Sequence, residues 1–164
     1  MMCIKHSGGV MCSEVYRMKA IARCECGALE LNVSGAPVVQ LTCHCKECQE
    51  FSGLDFVEGG FFRKENCHIT GNSKSETLQG GTGSQKIHHS CSSCATPLYV
   101  QVEALNGAIA IIANRLSPFT FESEAHIWTS QKAEGTIIPA GVHQTAGPPP
   151  KDIVQRMIKG VWEQ

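Results

Sequence analysis

The hydrophobic pattern of the chain consists of short segments in which apolar and polar residues alternate. Such alternation is typical of half-buried β-strands, and glycine or proline separates most of the segments. A pair of glycines at positions 59–60 interrupts one segment and indicates a bulge. The predicted strands cover residues 29–33, 38–42, 56–62, 98–102, 108–113 and 125–129. The run 108–113 is typical of a central strand, although its alanines leave a helix open.

The C-terminal part of the chain has a different pattern. Gly147-Pro-Pro-Pro150 ends the strand-rich part or forms a stiff linker. After it, residues 151–162 carry Val154, Ile158, Val161 and Trp162 at helical spacing, which predicts a C-terminal helix. We expect this helix to pack on its own domain. The alternative is an arm that docks on a second subunit.

Composition and charge narrow the classes of partner. The formal net charge is −1 and the hydrophobic fraction is 42%, so the chain can bury a core and shows no basic face for nucleic acid. The longest apolar run, 108–113, is far too short to span a membrane, and the N-terminus has no secretory signal. We therefore expect a cytoplasmic monomer or homodimer that binds neither nucleic acid nor membrane.

Ten cysteines are an unusual number for such a chain, and seven of them form three groups. The groups are Cys24-x-Cys26, Cys43-x-Cys45-x-x-Cys48 and Cys91-x-x-Cys94. Thiolates are soft donors that select zinc or an iron–sulfur cluster. A disulfide framework or a redox thiol cluster is the competing interpretation, but the first pair is too tight for an unstrained bridge and no secretory signal is present.

Seven ligands do not complete two sites of four. The economical division is four plus three, because four cysteines close a structural zinc site and three leave one position free for catalysis. Spacing alone does not decide which cysteines share an ion. The triplet is local enough to bind one ion by itself, which leaves the other four for a closed site. We expect two Zn²⁺ sites, of which the three-cysteine site is the weaker.

The order of these motifs resembles the glutathione-dependent formaldehyde-activating enzyme (GFA) family over about residues 19–133. The resemblance rests on Cys24-Glu-Cys26-Gly27, Cys43-His-Cys45-Lys-Glu-Cys48, Cys91-Ser-Ser-Cys94-Ala-Thr96-Pro97-Leu98 and His126-Ile-Trp128. It implies a mainly β fold of the β-tent type, built of short antiparallel sheets. It also implies a structural zinc on Cys24, Cys26, Cys91 and Cys94 and a catalytic zinc on Cys43, Cys45 and Cys48. The expected domains are a leader over 1–18, a GFA-like zinc-binding β domain over 19–146, and a Pro-rich linker with a helix over 147–164.

The implied activity is that of a carbon–sulfur lyase. The family condenses formaldehyde with glutathione to S-(hydroxymethyl)glutathione, so the expected partners are a small thiol and an aldehyde. This chain departs from the family pattern at Gln49, His89-Ser90, Ala95 and Gly135. These departures put glutathione specificity in doubt and leave the zinc motifs intact.

His44 is the acid–base candidate, because it lies inside the triplet and its intrinsic pKa is suitable. Two alternatives for His44 are a supporting role in the zinc loop and direct ligation of zinc.

Cys3, Cys12 and Cys67 have no partners at ligand spacing. Two other functions stay open, namely a thiol oxidoreductase similar to methionine sulfoxide reductase and a non-enzymatic zinc-stapled binding module.

Overall fold

The computed structural model describes residues 18–79 and 83–159, and strands are the main regular structure among them. Most of the expected leader, including Cys3 and Cys12, lies outside the described residues, as do Val161 and Trp162. The strands are β1 Lys19–Arg23, β2 Glu30–Ser34, β3 Val39–Cys43, β4 Val57–Phe62, β5 Cys67–Thr70, β6 Ser73–Gln79, β7 Gln85–Cys91, β8 Pro97–Val102, β9 Ala108–Ile112, β10 Leu116–Ser117 and β11 Ala125–Ile127. The α-helices of the described part are α1 Lys46–Ser52 and α2 Lys151–Lys159.

The described strands form two sheets. One has four strands in the order β10-β1-β2-β5, and the other has seven in the order β11-β3-β4-β9-β8-β7-β6. The prediction of a mainly β fold with a C-terminal helix is confirmed. Neighbouring strands in the two sheets are antiparallel, except that β11 and β3 run parallel to each other. This pairing places residues 125–127 directly beside the strand that leads into the cysteine triplet.

The main core lies where the inner faces of the two sheets meet. In β2 the buried residues alternate with more exposed ones, so that Leu31 and Val33 point inward. They belong to one cluster with Phe62, Leu98 and Ile111 of the larger sheet. All six predicted strands exist, with ends shifted by a residue or two. The hydrophobic pattern does not predict the polar strand β6, because this strand is largely exposed and has no apolar face.

The C-terminal helix packs on its own chain, as expected. It buries Ile153 and Met157 in a second apolar cluster with β3 and β11. The prediction of which side of the helix faces the core was wrong, because Val154 is only half-buried and Ile158 is 44% exposed. Several apolar positions of this short helix fit a helical period, and only the neighbouring strands decide which of them face the core.

Polar contacts fix the same helix at its sides. The Arg156 guanidinium forms an ion pair with Glu124 at 2.6 Å. The Asn106 amide donates to the backbone carbonyl of Ile158 at 3.0 Å.

No helix among the described residues is long and apolar enough to cross a membrane.

Candidate metal centres and active site

Four cysteines from two distant hairpins converge into what we call the closed cluster. Its members, whose sulfur atoms all lie within 4.8 Å of one another, are Cys24, Cys26, Cys91 and Cys94. Cys24 follows β1 in the smaller sheet, whereas Cys91 ends β7 in the larger one. The cluster therefore joins the two sheets across a long stretch of sequence, where a cross-link restricts the unfolded chain strongly.

Two tight turns place these sulfur atoms. In the first turn the Gly27 N–H donates to the Cys24 carbonyl at 3.1 Å, and the Leu29 N–H donates to the Cys24 sulfur at 3.2 Å. In the second turn the Ala95 N–H donates to the Cys91 carbonyl at 2.9 Å. Gly27 and Ala95 both adopt the left-handed conformation, with φ of 75° and 59°. Ala95 stands where the family usually has glycine, and this backbone is less favourable for alanine.

A threonine hydroxyl connects the two turns. Thr96 is only 4% exposed, and its Oγ1 lies 3.0 Å from the Cys94 sulfur. The same oxygen accepts a hydrogen bond from the Glu25 N–H at 3.2 Å, between the two cysteines of the first turn. The hydroxyl and the Thr96 backbone lower the pKa of the Cys94 thiol to about 5. Thr96 therefore stabilises the thiolate form of Cys94, a role that the sequence motif does not reveal.

The remaining three grouped cysteines meet where β3 runs into α1, and we call them the open cluster. They are Cys43, Cys45 and Cys48, with all sulfur atoms within 4.8 Å of one another. Cys43 ends β3, and Cys45 is the N-cap of α1, where its sulfur accepts the Cys48 N–H at 3.4 Å. Within the described residues, no further Cys, His, Asp or Glu ligand atom joins this group.

The three sulfur atoms of the open cluster influence one another electrostatically. Hydrogen bonds from Cys45 and Cys48 lower the pKa of Cys43 to about 4, and the charge of Lys86 adds to this effect. Hydrogen bonds with Cys43 and Cys45, together with burial, raise the pKa of Cys48 well above its usual range. Negative charge is thus concentrated at Cys43, and a cation at the centre would stabilise the remaining thiols as thiolates.

The sulfur spacing in both clusters suits a tetrahedral zinc ion. Zinc–sulfur bonds of about 2.3 Å place the sulfur atoms about 3.8 Å apart. The distances are 3.6 Å for Cys24–Cys26, 3.7 Å for Cys26–Cys91 and 3.4 Å for Cys43–Cys45. A disulfide needs about 2.05 Å, and the described cysteines are all free. The clusters can hold metal ions, and their donor sets favour zinc.

Gln49, one of the departures from the family pattern, fastens the helix of the open cluster. Its side-chain amide donates to the backbone carbonyl of His44 at 2.7 Å and to that of Gln131 at 2.9 Å. The Gln131 side chain in turn accepts the Lys46 N–H at 2.9 Å. The residue therefore has a structural role that connects α1 to the turn after β11.

His44 is buried beside the open cluster and is not part of it. Its exposure is 0%, and its Nε2 lies 3.0 Å from Nδ1 of His126. Burial, followed by the charges of His126 and Lys132, lowers the pKa of His44. This setting favours the supporting role and gives no support to ligation of zinc. The acid–base role of His44 stays a prediction.

Cys67, the ungrouped cysteine within the described residues, is half-buried at the start of β5 and packs against the main core. Burial raises the pKa of its thiol to about 12, and the charge of Glu65 adds to this shift. A thiol with so high a pKa is a poor nucleophile at neutral pH.

A cavity of about 410 Å³ lies between the seven-stranded sheet and α2, and Cys43 and Cys48 form part of its wall. Most of the remaining wall is apolar, with Val100, Trp128 and Val154 among its residues. The two thiols of the open cluster thus face a space large enough for a small organic molecule.

His88, which the sequence indicates only as a strand residue, also lines this cavity. It lies in β7, is 2% exposed, and stands edge-on against Phe51 with ring centroids 4.7 Å apart. Neither ring nitrogen has a hydrogen-bond partner among the described residues. Its proximity to the open cluster depends on strand pairing, so no local pattern could indicate it.

Comparison with known families decides what kind of protein carries these sites. The model of the glutathione-dependent formaldehyde-activating enzyme family matches residues 19–131, which is more than half of the chain. The chain belongs to this family. The matched range of the GFA family includes both cysteine clusters and ends before α2 begins at Lys151.

Other comparisons add little to the GFA assignment. No curated protein matches the chain. Among solved structures, the chain is similar to a Rhodobacter sphaeroides protein at 18% identity and a TM-score of 0.47, over 61% of this chain and 90% of that one. The family match and the cysteine geometry therefore carry the functional argument.

Proposed function

We propose that this chain is a zinc-dependent carbon–sulfur lyase that forms or cleaves a thiol–aldehyde adduct, such as S-(hydroxymethyl)glutathione, at the open cluster. One observation carries the proposal. Three sulfur ligands stand together with no fourth Cys, His, Asp or Glu ligand among the described residues, and two of them border a cavity. Three protein ligands and one open position are typical of catalytic zinc.

The proposed reaction needs no redox partner. In the forward direction a bond forms between the thiol sulfur and the carbonyl carbon, and the thiol proton ends on the former carbonyl oxygen. Zinc held by Cys43, Cys45 and Cys48 would supply a Lewis acid that keeps the substrate sulfur ionised near neutral pH. The protein itself places the three cysteines at the end of β3 and the start of α1, beside the mainly apolar cavity.

The two alternatives receive less support from the described residues. A thiol oxidoreductase needs a reactive cysteine away from metal, and burial raises the pKa of Cys67 to about 12. A zinc-stapled binding module needs a protein side chain as fourth ligand of the open cluster. His44 is the nearest candidate in sequence, but its ring nitrogens do not group with the three sulfur atoms.

Cobalt substitution tests the proposed function directly, because the visible spectrum of cobalt reports the number of sulfur ligands. We expect small thiols to shift the spectrum and Cys45→Ala to abolish the shift while leaving the signal of the closed cluster. Cys67→Ala is the matched control and should leave the shift intact. Turnover of thiol and aldehyde pairs is measured on the same zinc-loaded protein. A spectrum that no thiol changes, together with absence of turnover, would refute the proposal.

A further inference from the structure

The wall of the cavity indicates the chemistry of its ligand. Apart from the cysteines of the open cluster, Lys86 is the one described lining residue that is charged at neutral pH. Most of the remaining wall consists of aliphatic residues, with the aromatic rings of Phe61 and Trp128 among them.

This wall is a poor match for glutathione. At neutral pH glutathione carries two carboxylates and an ammonium group, and each charge loses solvation when it enters an apolar space without a partner. Among the described lining residues, the Lys86 amine is the one charged partner that the wall offers to these three groups. An uncharged organic group of similar size would gain free energy from burial and would leave no charge unpaired.

The helix that closes the cavity lies outside the range that matches the family. Val154, Met157 and Ile158 of α2 line the cavity, whereas the family match ends at residue 131. Pro148 and Pro149, which precede this helix, contribute to the same wall. The part of the wall that lies outside the matched range is therefore also apolar.

His88 supplies the polar feature that an oxygen-bearing ligand needs. Burial, followed by the charge of Lys86, lowers the pKa of this histidine, so the ring is neutral at neutral pH. A neutral imidazole has one donor and one acceptor nitrogen, which together match a hydroxyl group. A buried polar group without a partner is costly, and a ligand oxygen would remove that cost.

We propose that the cavity binds a thiol–aldehyde adduct with an uncharged apolar substituent, that its sulfur is directed to the open cluster, and that its oxygen is hydrogen-bonded to His88. This inference rests on the proposed function and specifies its substrate class. The apolar substituent can belong to the aldehyde or to the thiol, and the experiment below separates the two. His88 acts here as a substrate-positioning residue.

Tryptophan fluorescence measures occupancy of the cavity without turnover. The chain has two tryptophans, so Trp162→Phe leaves Trp128, which lines the cavity, as the reporter. In zinc-loaded protein with this background we expect 1-hexanol and benzene to change the fluorescence saturably. Glutathione should need at least about tenfold higher concentration, which corresponds to about 1.4 kcal/mol. Tighter binding of glutathione than of hexanol would overturn the proposal.

Two variants of α2 locate the binding site. Val154→Glu places a carboxylate in the apolar wall and should weaken hexanol and benzene binding about tenfold or more. The matched control is Gln155→Glu, which introduces the same side chain at the neighbouring exposed position and should change neither affinity. Equal effects of the two variants, or no effect of Val154→Glu in a variant with a native circular dichroism spectrum, would overturn the location.

The contribution of His88 is tested by the difference between two probes. His88→Phe keeps an aromatic ring and removes both nitrogens, so hexanol binding should weaken about tenfold while benzene binding changes less than about twofold. His88→Gln keeps a donor and an acceptor and should restore part of the hexanol affinity. An equal loss for both probes, or no rescue by glutamine, would overturn the hydrogen bond to the ligand oxygen.

Turnover with mixed pairs identifies which reactant carries the apolar group. Hexanal plus 2-mercaptoethanol, an uncharged small thiol, is compared with hexanethiol plus formaldehyde and with glutathione plus formaldehyde. We expect one of the first two pairs to exceed the third at least about tenfold in kcat/KM, by the transition-state relation between rate and free energy. A preference for glutathione plus formaldehyde overturns the apolar substrate class and leaves the lyase function standing. Absence of turnover with all pairs and of a cobalt response overturns the lyase function itself, and with it the substrate assignment.

Discussion

The hydroxyl of Thr96 provides the sharpest test of how the closed cluster is built. Thr96→Val keeps the shape of the side chain and removes its oxygen. The substitution deletes one hydrogen bond to the Cys94 sulfur, at 3.0 Å, and leaves the Glu25 N–H without the acceptor that lies at 3.2 Å. Each typical hydrogen bond contributes about 1 kcal/mol, so we expect a loss of about 2 kcal/mol in the free energy of unfolding.

The same substitution should change how acid affects the closed cluster. The pKa of Cys94 in the folded protein lies at about 5, far below that of an ordinary thiol, first because of the Thr96 hydroxyl. A lowered pKa stabilises the fold above the ordinary thiol pKa, and this contribution is lost as the pH falls through about 5. Without the hydroxyl the thiolate is less favoured, so zinc should leave at a higher pH during acidification.

Urea unfolding of zinc-loaded protein measures the first effect, and a chromogenic chelator followed during acid titration measures the second. Thr136→Val is the matched control, because the Thr136 hydroxyl is shielded from solvent and has no hydrogen-bond partner among the described residues. That variant should keep or slightly increase stability and should release zinc at the wild-type pH. If both valine variants behave alike in both assays, the reasoning about the Thr96 hydroxyl is wrong.

Three further predictions concern the backbone and the metal. Gly71→Ala would bring a Cβ to 1.9 Å from the Ala28 carbonyl oxygen, so it should lower the free energy of unfolding in urea by about 3 kcal/mol. The control Gly135→Ala has a similar positive φ and no heavy atom within 4 Å of the added Cβ, so it should cost only about 1 kcal/mol. Equal losses in the two variants would contradict the close approach at Gly71. Ala95→Gly should raise the thermal midpoint of unfolding slightly. The strain free energy that is relieved at the left-handed position exceeds the entropic cost of a more flexible unfolded chain. A lower midpoint would contradict this. Under mild chelation, metal analysis should show that the open cluster loses its zinc first, since three protein ligands hold it instead of four; earlier loss from the closed cluster would reverse the assigned roles.

Local chemistry in the sequence was sufficient for each cysteine turn and for most of the main strands, whereas the meeting of Cys24-x-Cys26 with Cys91-x-x-Cys94 depends on how the two sheets pack. A cysteine pair separated by one or two residues can fold into a turn that places both sulfur atoms on one side, whatever the rest of the chain does. The alternation around Leu31 and Val33 likewise follows from one buried face, which the structure confirms. Counting the seven grouped cysteines was enough to divide them into four and three, although spacing alone did not decide which of them lie together.

Tertiary structure alone decided which residues surround those sites. Pairing of β7 with β8 and packing of α2 bring His88, Lys86 and Val154 to one cavity beside Cys43, although α2 lies more than a hundred residues after that cysteine. The buried face of α2 also depended on its neighbours, because Ile153 and Met157 reach the core while Ile158 stays exposed. The cysteine turns are encoded by contacts within a few residues. A cavity is formed by contacts between distant segments, and its shape and polarity exist only after the strands and the helix have packed together.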